Sequence, residues 1–238
     1  MLRGGVITMA DTDNCVFVLE NSLAAVSACD NGNGYAVTDG FESSIYMYSR
    51  SGVQTGTAAA LRPYRRLRHD PVSNGYSAVS CCGGGRIYRL GSDFSETGFI
   101  TLETARGQGE DEIADACITR SGSESYYTVA FPGSVYLFGS DGRRLAKLCE
   151  TAGRITDLVA PTPEFRAAVE ERGGSSLISV YNNGKTVYTA VPKGLSARML
   201  FCSGETVYGL FGIAYIYNVI KTVYFGGSIV LPAGQGCE

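Results

Sequence analysis

The stretch Tyr126-Tyr127-Thr128-Val129-Ala130-Phe131-Pro132-Gly133-Ser134-Val135-Tyr136-Leu137-Phe138-Gly139-Ser140-Asp141-Gly142 holds two short apolar runs and two turns. Val, Tyr, Phe and Thr dominate the runs, and such residues fit a pleated, packed surface. The runs are too short for helices and are bounded by Gly, Pro and Ser, so they read as paired strands. Val135-Tyr136-Leu137-Phe138 is apolar on both parities, which requires burial on both faces of the strand.

The unit recurs along the chain. Tyr35-Ala36-Val37-Thr38-Asp39 leads to Ser44-Ile45-Tyr46-Met47-Tyr48, and Tyr76-Ser77-Ala78-Val79-Ser80 leads to Arg86-Ile87-Tyr88-Arg89-Leu90. Arg166-Ala167-Ala168-Val169-Glu170 leads to Ser176-Leu177-Ile178-Ser179-Val180-Tyr181, and Val207-Tyr208-Gly209-Leu210-Phe211 leads to Tyr215-Ile216-Tyr217. A divergent copy opens the chain at Val6 to Ala10 and Cys15 to Leu19. The second strands begin near residues 15, 44, 86, 134, 176 and 214, at spacings of 29, 42, 48, 42 and 38. A hairpin repeated about every 40 residues is the mark of a β-propeller. Helical propensity at Pro163 to Glu171 and at Leu61 to His69 is local; Ala167-Ala168-Val169 sits in a strand slot of the repeat, and tertiary context overrides propensity there.

The expected fold is therefore all-β, a six-bladed propeller of four-stranded antiparallel blades built as one domain over residues 1–238. Ala24 to Cys29, Leu67 to Val72, Ile113 to Thr119, Ile155 to Ala160 and Met199 to Cys202 supply the first strands. Ser228-Ile229-Val230-Leu231-Pro232 resembles Asp157-Leu158-Val159-Ala160-Pro161. That likeness predicts that Ser228 to Leu231 pairs beside Val6 to Ala10 as the first blade's inner strand. Five blades with an added N-terminal hairpin is the alternative. The chain enters a strand almost at once, so a native N-terminal segment is expected to be missing.

These aromatic hairpins with polar Gly turns resemble the propeller repeats of bacterial six-bladed domains, similar to NHL-like and quinoprotein-like sets. They also resemble propeller domains of anaerobic Firmicutes, which are often tethered behind a membrane anchor. The resemblance spans nearly the whole chain and implies an architecture; it transfers no catalytic residue.

Composition removes several functions. Of 238 residues, 20 are basic and 23 acidic, so the net charge of −3 gives no broad nucleic-acid footprint. No run of about 18 apolar residues is present, so no direct insertion into a membrane by a helix is expected. No leader-like segment is visible. The 8 Cys lack the spacing of a zinc site, and one His is present, so no metal or cofactor is expected. The cysteines read as free thiols packed in strands, which favours a cytoplasmic, reducing compartment. An extracytoplasmic domain of a membrane-anchored protein is the alternative. Cys82-Gly83-Gly84-Gly85-Arg86 lacks the Lys-Ser/Thr of a phosphate loop and reads as a hairpin turn.

Function is sought where one blade's outer strand leads into the next blade's inner strand. These segments carry Arg65, Arg66, His69, Asp115, Arg154, Asp157 and Arg198. Aligning Leu67, Ile113 and Ile155 brings Arg66, Glu112 and Arg154 to one level, and His69, Asp115 and Asp157 to the next. Guanidinium forks match carboxylates and phosphates. The expectation is a charged mouth that binds a small anionic or carbohydrate ligand, or a protein partner, on a monomeric, non-catalytic scaffold. The competing expectation is that these arginines and acids neutralise one another between blades. The enzyme alternative is a carbohydrate-active, glycoside-hydrolase-like propeller with Asp115 and Asp157 as acids. A side-chain-plugged axis favours the scaffold, and a deep acid-lined pocket favours the enzyme.

Overall fold

The computed structural model describes residues 6–8, 16–18, 27–38, 42–49, 53–70, 72–80, 84–103, 112–121, 124–160, 165–173, 175–182, 185–190, 196–203, 206–214 and 222–229. Before residue 27 and from residue 182 onward, the backbone of the strands alone is described.

The described residues form six antiparallel sheets in chain order. The first is the hairpin β1 (Val6–Thr8) and β2 (Val16–Val18). Next come β3 (Ser27–Asp30), β4 (Gly34–Thr38), β5 (Ser44–Ser49) and β6 (Gln54–Ala59). The third sheet is β7 (Tyr64–Asp70), β8 (Gly75–Ser80), β9 (Arg86–Leu90) and β10 (Glu96–Thr101). The fourth is β11 (Asp115–Ser121), β12 (Glu124–Phe131), β13 (Ser134–Gly139) and β14 (Arg144–Glu150). The fifth is β15 (Arg154–Val159), β16 (Phe165–Arg172), β17 (Ser175–Asn182) and β18 (Lys185–Ala190). The last has three strands, β19 (Ser196–Ser203), β20 (Thr206–Ala214) and β21 (Thr222–Ile229).

Strands adjacent in sequence are adjacent in every sheet, and the first strands line up in turn: β3 lies against β7, β7 against β11, β11 against β15, and β15 against β19. This is an all-β, propeller-like succession of sheets packed face to face. The two helical-looking segments are strands β7 and β16. The Gly-rich run joins β8 to β9 as a hairpin, with Gly84 and Gly85 at φ 101° and 58°; Cys81 to Gly83 lie outside the described residues.

Burial follows position in the sheet. The second strands β4 and β8 are buried along their whole length, whereas the fourth strands β6 and β10 are largely open to solvent. Ile45, Ile87, Val135 and Ile178, each in a third strand, are all fully buried. Such a residue contributes roughly 1.5–3 kcal/mol through loss of apolar surface from water. The apolar clusters lie between sheets. Ile45 and Ala36 pack on Tyr64, Leu67 and Tyr88 of the next sheet. Ile87 and Val79 pack on Tyr127, Val129 and Phe138. Val135 and Ala130 pack on Ile155, Leu158 and Tyr181. Tyr48, Tyr88 and Tyr136 are buried in this packing, while the Tyr46 hydroxyl turns outward to Glu42, 2.7 Å away.

The polar turn between third and fourth strands repeats in detail. Asp141 Oδ1 accepts from the Arg143 amide at 3.0 Å, and Asp93 Oδ1 accepts from the Ser95 amide at 3.0 Å. The residue after each Asp is left-handed, Gly142 at φ 87° and Phe94 at φ 65°. Glycine takes that conformation without cost, and phenylalanine does not. The Phe94 ring compensates by stacking on Tyr76, 4.6 Å between centroids.

One expectation about the ends is corrected. Ser228 and Ile229 pair with Tyr208 and Val207 as part of β21, the third strand of the last sheet, and not as the inner strand of the first. Their apolar pattern fits either position, because first and third strands alike carry buried apolar residues in the preceding sheets. The ends of the chain still meet, since β1 lies alongside β21. Val230 and Leu231 lie outside the described residues.

Candidate functional site at the inner strands

Three inner strands share a local irregularity. The pairing register slips by one residue between Tyr64 and Arg66 in β7, between Ile155 and Asp157 in β15, and between Ala197 and Met199 in β19. Arg65, Thr156 and Arg198 are the extra residues. At β11 the Ala114 amide donates to the Ala130 carbonyl at 2.7 Å, while Ala130 already faces Asp115 in the ladder. A β-bulge of this kind leaves one residue unpaired and re-aims the side chains that follow.

The bulges set the true correspondence between repeats. Tyr64, Ile113 and Ile155 are the buried apolar residues just before the irregularity, and Arg66, Asp115 and Asp157 come just after it. Matching Leu67 to Ile113 and Ile155 by apolar pattern alone is therefore three residues out of step. His69 is the residue displaced by this error. It faces Tyr76 in the ladder, meets that ring at a tilt with centroids 5.2 Å apart, and lies 3.3 Å from Asn74 Oδ1, near the β7–β8 turn.

The inner layer of the site is a buried knot. Arg68 Nη2 donates to Asp115 Oδ2, to Asp157 Oδ1 at 2.8 Å and to the Leu158 carbonyl at 2.9 Å. Arg66 Nη2 donates to the carbonyl of Thr156, the extra residue of the β15 bulge. Arg66 Nε lies 3.6 Å from Asp157 and 3.9 Å from Asp115. Asp115 Oδ2 also accepts from the Leu158 amide at 2.8 Å, and its Oδ1 from the Ala116 amide at 2.8 Å. Asp115 and Asp157 are fully buried. Two arginines from β7 thus cross to β11 and β15, filling the space between three inner strands. Arg68 escapes the repeat pattern of the sequence. The signal for it is the two-residue spacing from Arg66, which returns a strand to the same face.

Burial pushes the Asp157 carboxyl up to about 6; Arg68 opposes that rise and Asp115 adds to it. Burial also works against the Arg68 charge, but Asp115 and Asp157 outweigh it and hold the guanidinium well above its ordinary value.

The outer layer is open. Arg65 Nη1 and Arg154 Nη2 both donate to Glu112 Oε1, each at 3.0 Å. Arg154 is 58% exposed and Glu112 50%, against 22% for Arg65. The Arg65 hydrogen bond, with Arg154 behind it, holds the Glu112 carboxyl below the usual carboxylate range. Arg198 lies on the β19 bulge, and its backbone alone is described.

The structure thus brings together Arg65, Arg66, Glu112, Arg154, Asp115 and Asp157, adds Arg68, and sets His69 apart; Arg65, Arg66 and Arg154 each meet at least one of these acids, as the expectation of neutralisation has it. Among the described residues, four guanidiniums face three carboxylates. Among the described residues, no group of three or more His, Cys, Asp or Glu is arranged to hold a metal ion. Cys29, Cys117 and Cys149 are free thiols; Cys15, Cys81, Cys82 and Cys237 lie outside the described residues, and of Cys202 the strand alone is described.

No protein-family model matches the chain. No curated protein matches it by sequence. Among solved structures it is similar to hydrazine synthase of Kuenenia stuttgartiensis, a β-propeller-containing protein, with a TM-score of 0.55 and 12% identity. The match covers 86% of this chain and 62% of that one, so the chain spans less than two thirds of the protein it resembles. At that identity the likeness shows a propeller-like fold alone.

Proposed function

We propose that the chain is a single six-bladed propeller scaffold that binds a small anion at the mouth of its inner strands, without catalysis. The carrying observation is the layering of charge. Asp115 and Asp157 are spent on Arg68, and Asp115 also on the amides of Ala116 and Leu158, so the two acids that a glycosidase reading needs are already occupied. Arg66 and Arg68 belong to the same knot. The residues left to meet a ligand are Arg65 and Arg154, which share one half-exposed carboxylate. Among the described residues, four guanidiniums stand against three carboxylates at this mouth, on a chain of net charge −3. Guanidiniums set partly into the protein surface draw small anions.

A thermal-shift titration with small carboxylates and inorganic phosphate tests the reading. A bound anion raises the melting temperature by mass action, by ~2.7 kcal/mol at a hundredfold excess over its dissociation constant. Arg154→Ala should remove the effect, and raised salt should weaken it. An anion series that leaves the wild-type melting point in place would overturn the assignment.

A further inference from the structure

Resting on that reading, we infer that Glu112 is a built-in occupant of the mouth, and that a small dicarboxylate enters by displacing it from Arg65 and Arg154. The geometry of the pair carries this. A guanidinium and a carboxylate commonly meet through two parallel hydrogen bonds. Here two guanidiniums from different sheets converge on one oxygen, Glu112 Oε1, and each gives it a single N–H, Arg65 through Nη1 and Arg154 through Nη2. One carboxylate is thus divided between two forks that could each hold a carboxylate of their own. Arg65 Nε is buried and, among the described residues, has no hydrogen-bond partner. Glu112 is an incomplete ligand for the site it fills.

Its position also lets it leave. Glu112 stands three residues before the first residue of β11, and half of its side chain is in solvent. Exposed ion pairs of this kind are weak. What keeps Glu112 in place is its tether, which gives it a high local concentration that a free ligand must exceed. A ligand with two carboxylates meets both forks at once and offers more acceptor oxygens than Glu112 does. By contrast, Asp115 and Asp157 are fully buried and hydrogen-bonded to Arg68, so the exchangeable carboxylate is the outer one.

The test is calorimetric titration of succinate into the full chain and its Glu112→Gln, Arg154→Met and Glu112→Gln/Arg154→Met variants. Removal of the internal competitor should tighten succinate binding by tenfold or more in Glu112→Gln. Both variants carrying Arg154→Met should lose the binding. Acetate, with one carboxylate, should gain far less than succinate from Glu112→Gln. If the wild type binds succinate and Glu112→Gln binds it no tighter, Glu112 is no competitor, although the anion mouth stands. If the gain persists in the double variant, it comes from general charge and the inference fails. If neither the wild type nor Glu112→Gln binds succinate, both the inference and the anion reading fall.

Discussion

Asp115 accepts a hydrogen bond from the backbone amide of Leu158 in the next sheet, at 2.8 Å, and so clasps the inner edges of two sheets together. Ser27 does the same for the amide of Leu67, at 3.0 Å. Both acceptors lie at the start of an inner strand, and both reach the inner strand that follows. Asp115 differs in carrying a charge, which brings Arg68 into the same contact.

Removal of Arg68 should be among the costliest changes in the protein. Arg68→Met leaves Asp115 and Asp157 buried without their shared guanidinium. Loss of one partner of a buried pair typically costs ~3–5 kcal/mol. Arg154→Met breaks only an exposed pair and should cost under ~1 kcal/mol. Urea unfolding of the two variants checks the contrast; equal effects would mean that the knot is not stabilising.

The pH dependence of Asp157 has a defined sign. Its carboxyl titrates at about 6 in the folded chain, above its ordinary value of 3.8. Between these values the folded state binds the extra proton. Asp157 therefore makes stability fall as the pH rises from about 4 to about 6, and adds no slope above that. The effect is at most ~3 kcal/mol. Melting temperatures of Asp157→Asn and wild type, compared across this range, isolate it: the variant should gain on the wild type as the pH rises. A constant difference would place the titration elsewhere.

Phe94 should invert the usual order of small residues. Its ring is buried, and its backbone is left-handed at φ 65°. Both Phe94→Ala and Phe94→Gly lose the ring, at a cost of ~3–5 kcal/mol. Glycine also relieves the backbone, so Phe94→Gly should be more stable than Phe94→Ala by ~1 kcal/mol. Denaturant midpoints of the two variants decide it.

The thiols should separate by burial. Cys29 and Cys117 are buried, and Cys117 Sγ also donates to the Leu158 carbonyl at 3.0 Å. Both should resist alkylation until the chain unfolds. Cys149 is only partly buried. Burial pushes its thiol up, and Arg166 partly opposes that rise. It should react in the native state, slowly at neutral pH and faster as the pH rises. Site-resolved mass spectrometry after timed alkylation reads all three.

The repeated hairpins were legible because the period-two and turn signals of Tyr126 to Gly142 are local. The strand at Arg166 to Glu170 was legible against its helical propensity because it fills a slot that the other copies define. The convergence of Asp115 with Asp157 was legible for the same reason. The place of His69 was not. Tyr64 and Leu67 are both apolar and buried in the same strand, so apolar pattern alone let Leu67 be matched to Ile113 where Tyr64 belongs. Arg68 went unseen for that reason as well. The pairing of Glu112 with arginines was legible as the expectation of neutralisation between blades; that Arg65 and Arg154 converge on one oxygen depends on side-chain reach, which no periodicity encodes.

The knot also has a history in time. Arg68 meets Asp115, Asp157 and Leu158 across 47, 89 and 90 residues of chain. Contacts of such separation form late, after loop-closure entropy has been overcome. Until β15 is in place, the charges of β7 and β11 lack Asp157 and the Leu158 backbone, and water takes those places. A half-made assembly is therefore hydrophilic at its centre, which discourages its open sheet edges from collapsing around a dry core. Once the third strand docks, the same charges lock it. Loss of Arg68 should accordingly leave the folding rate almost unchanged and speed unfolding, so the residue acts less as a builder of the fold than as the latch that keeps it shut.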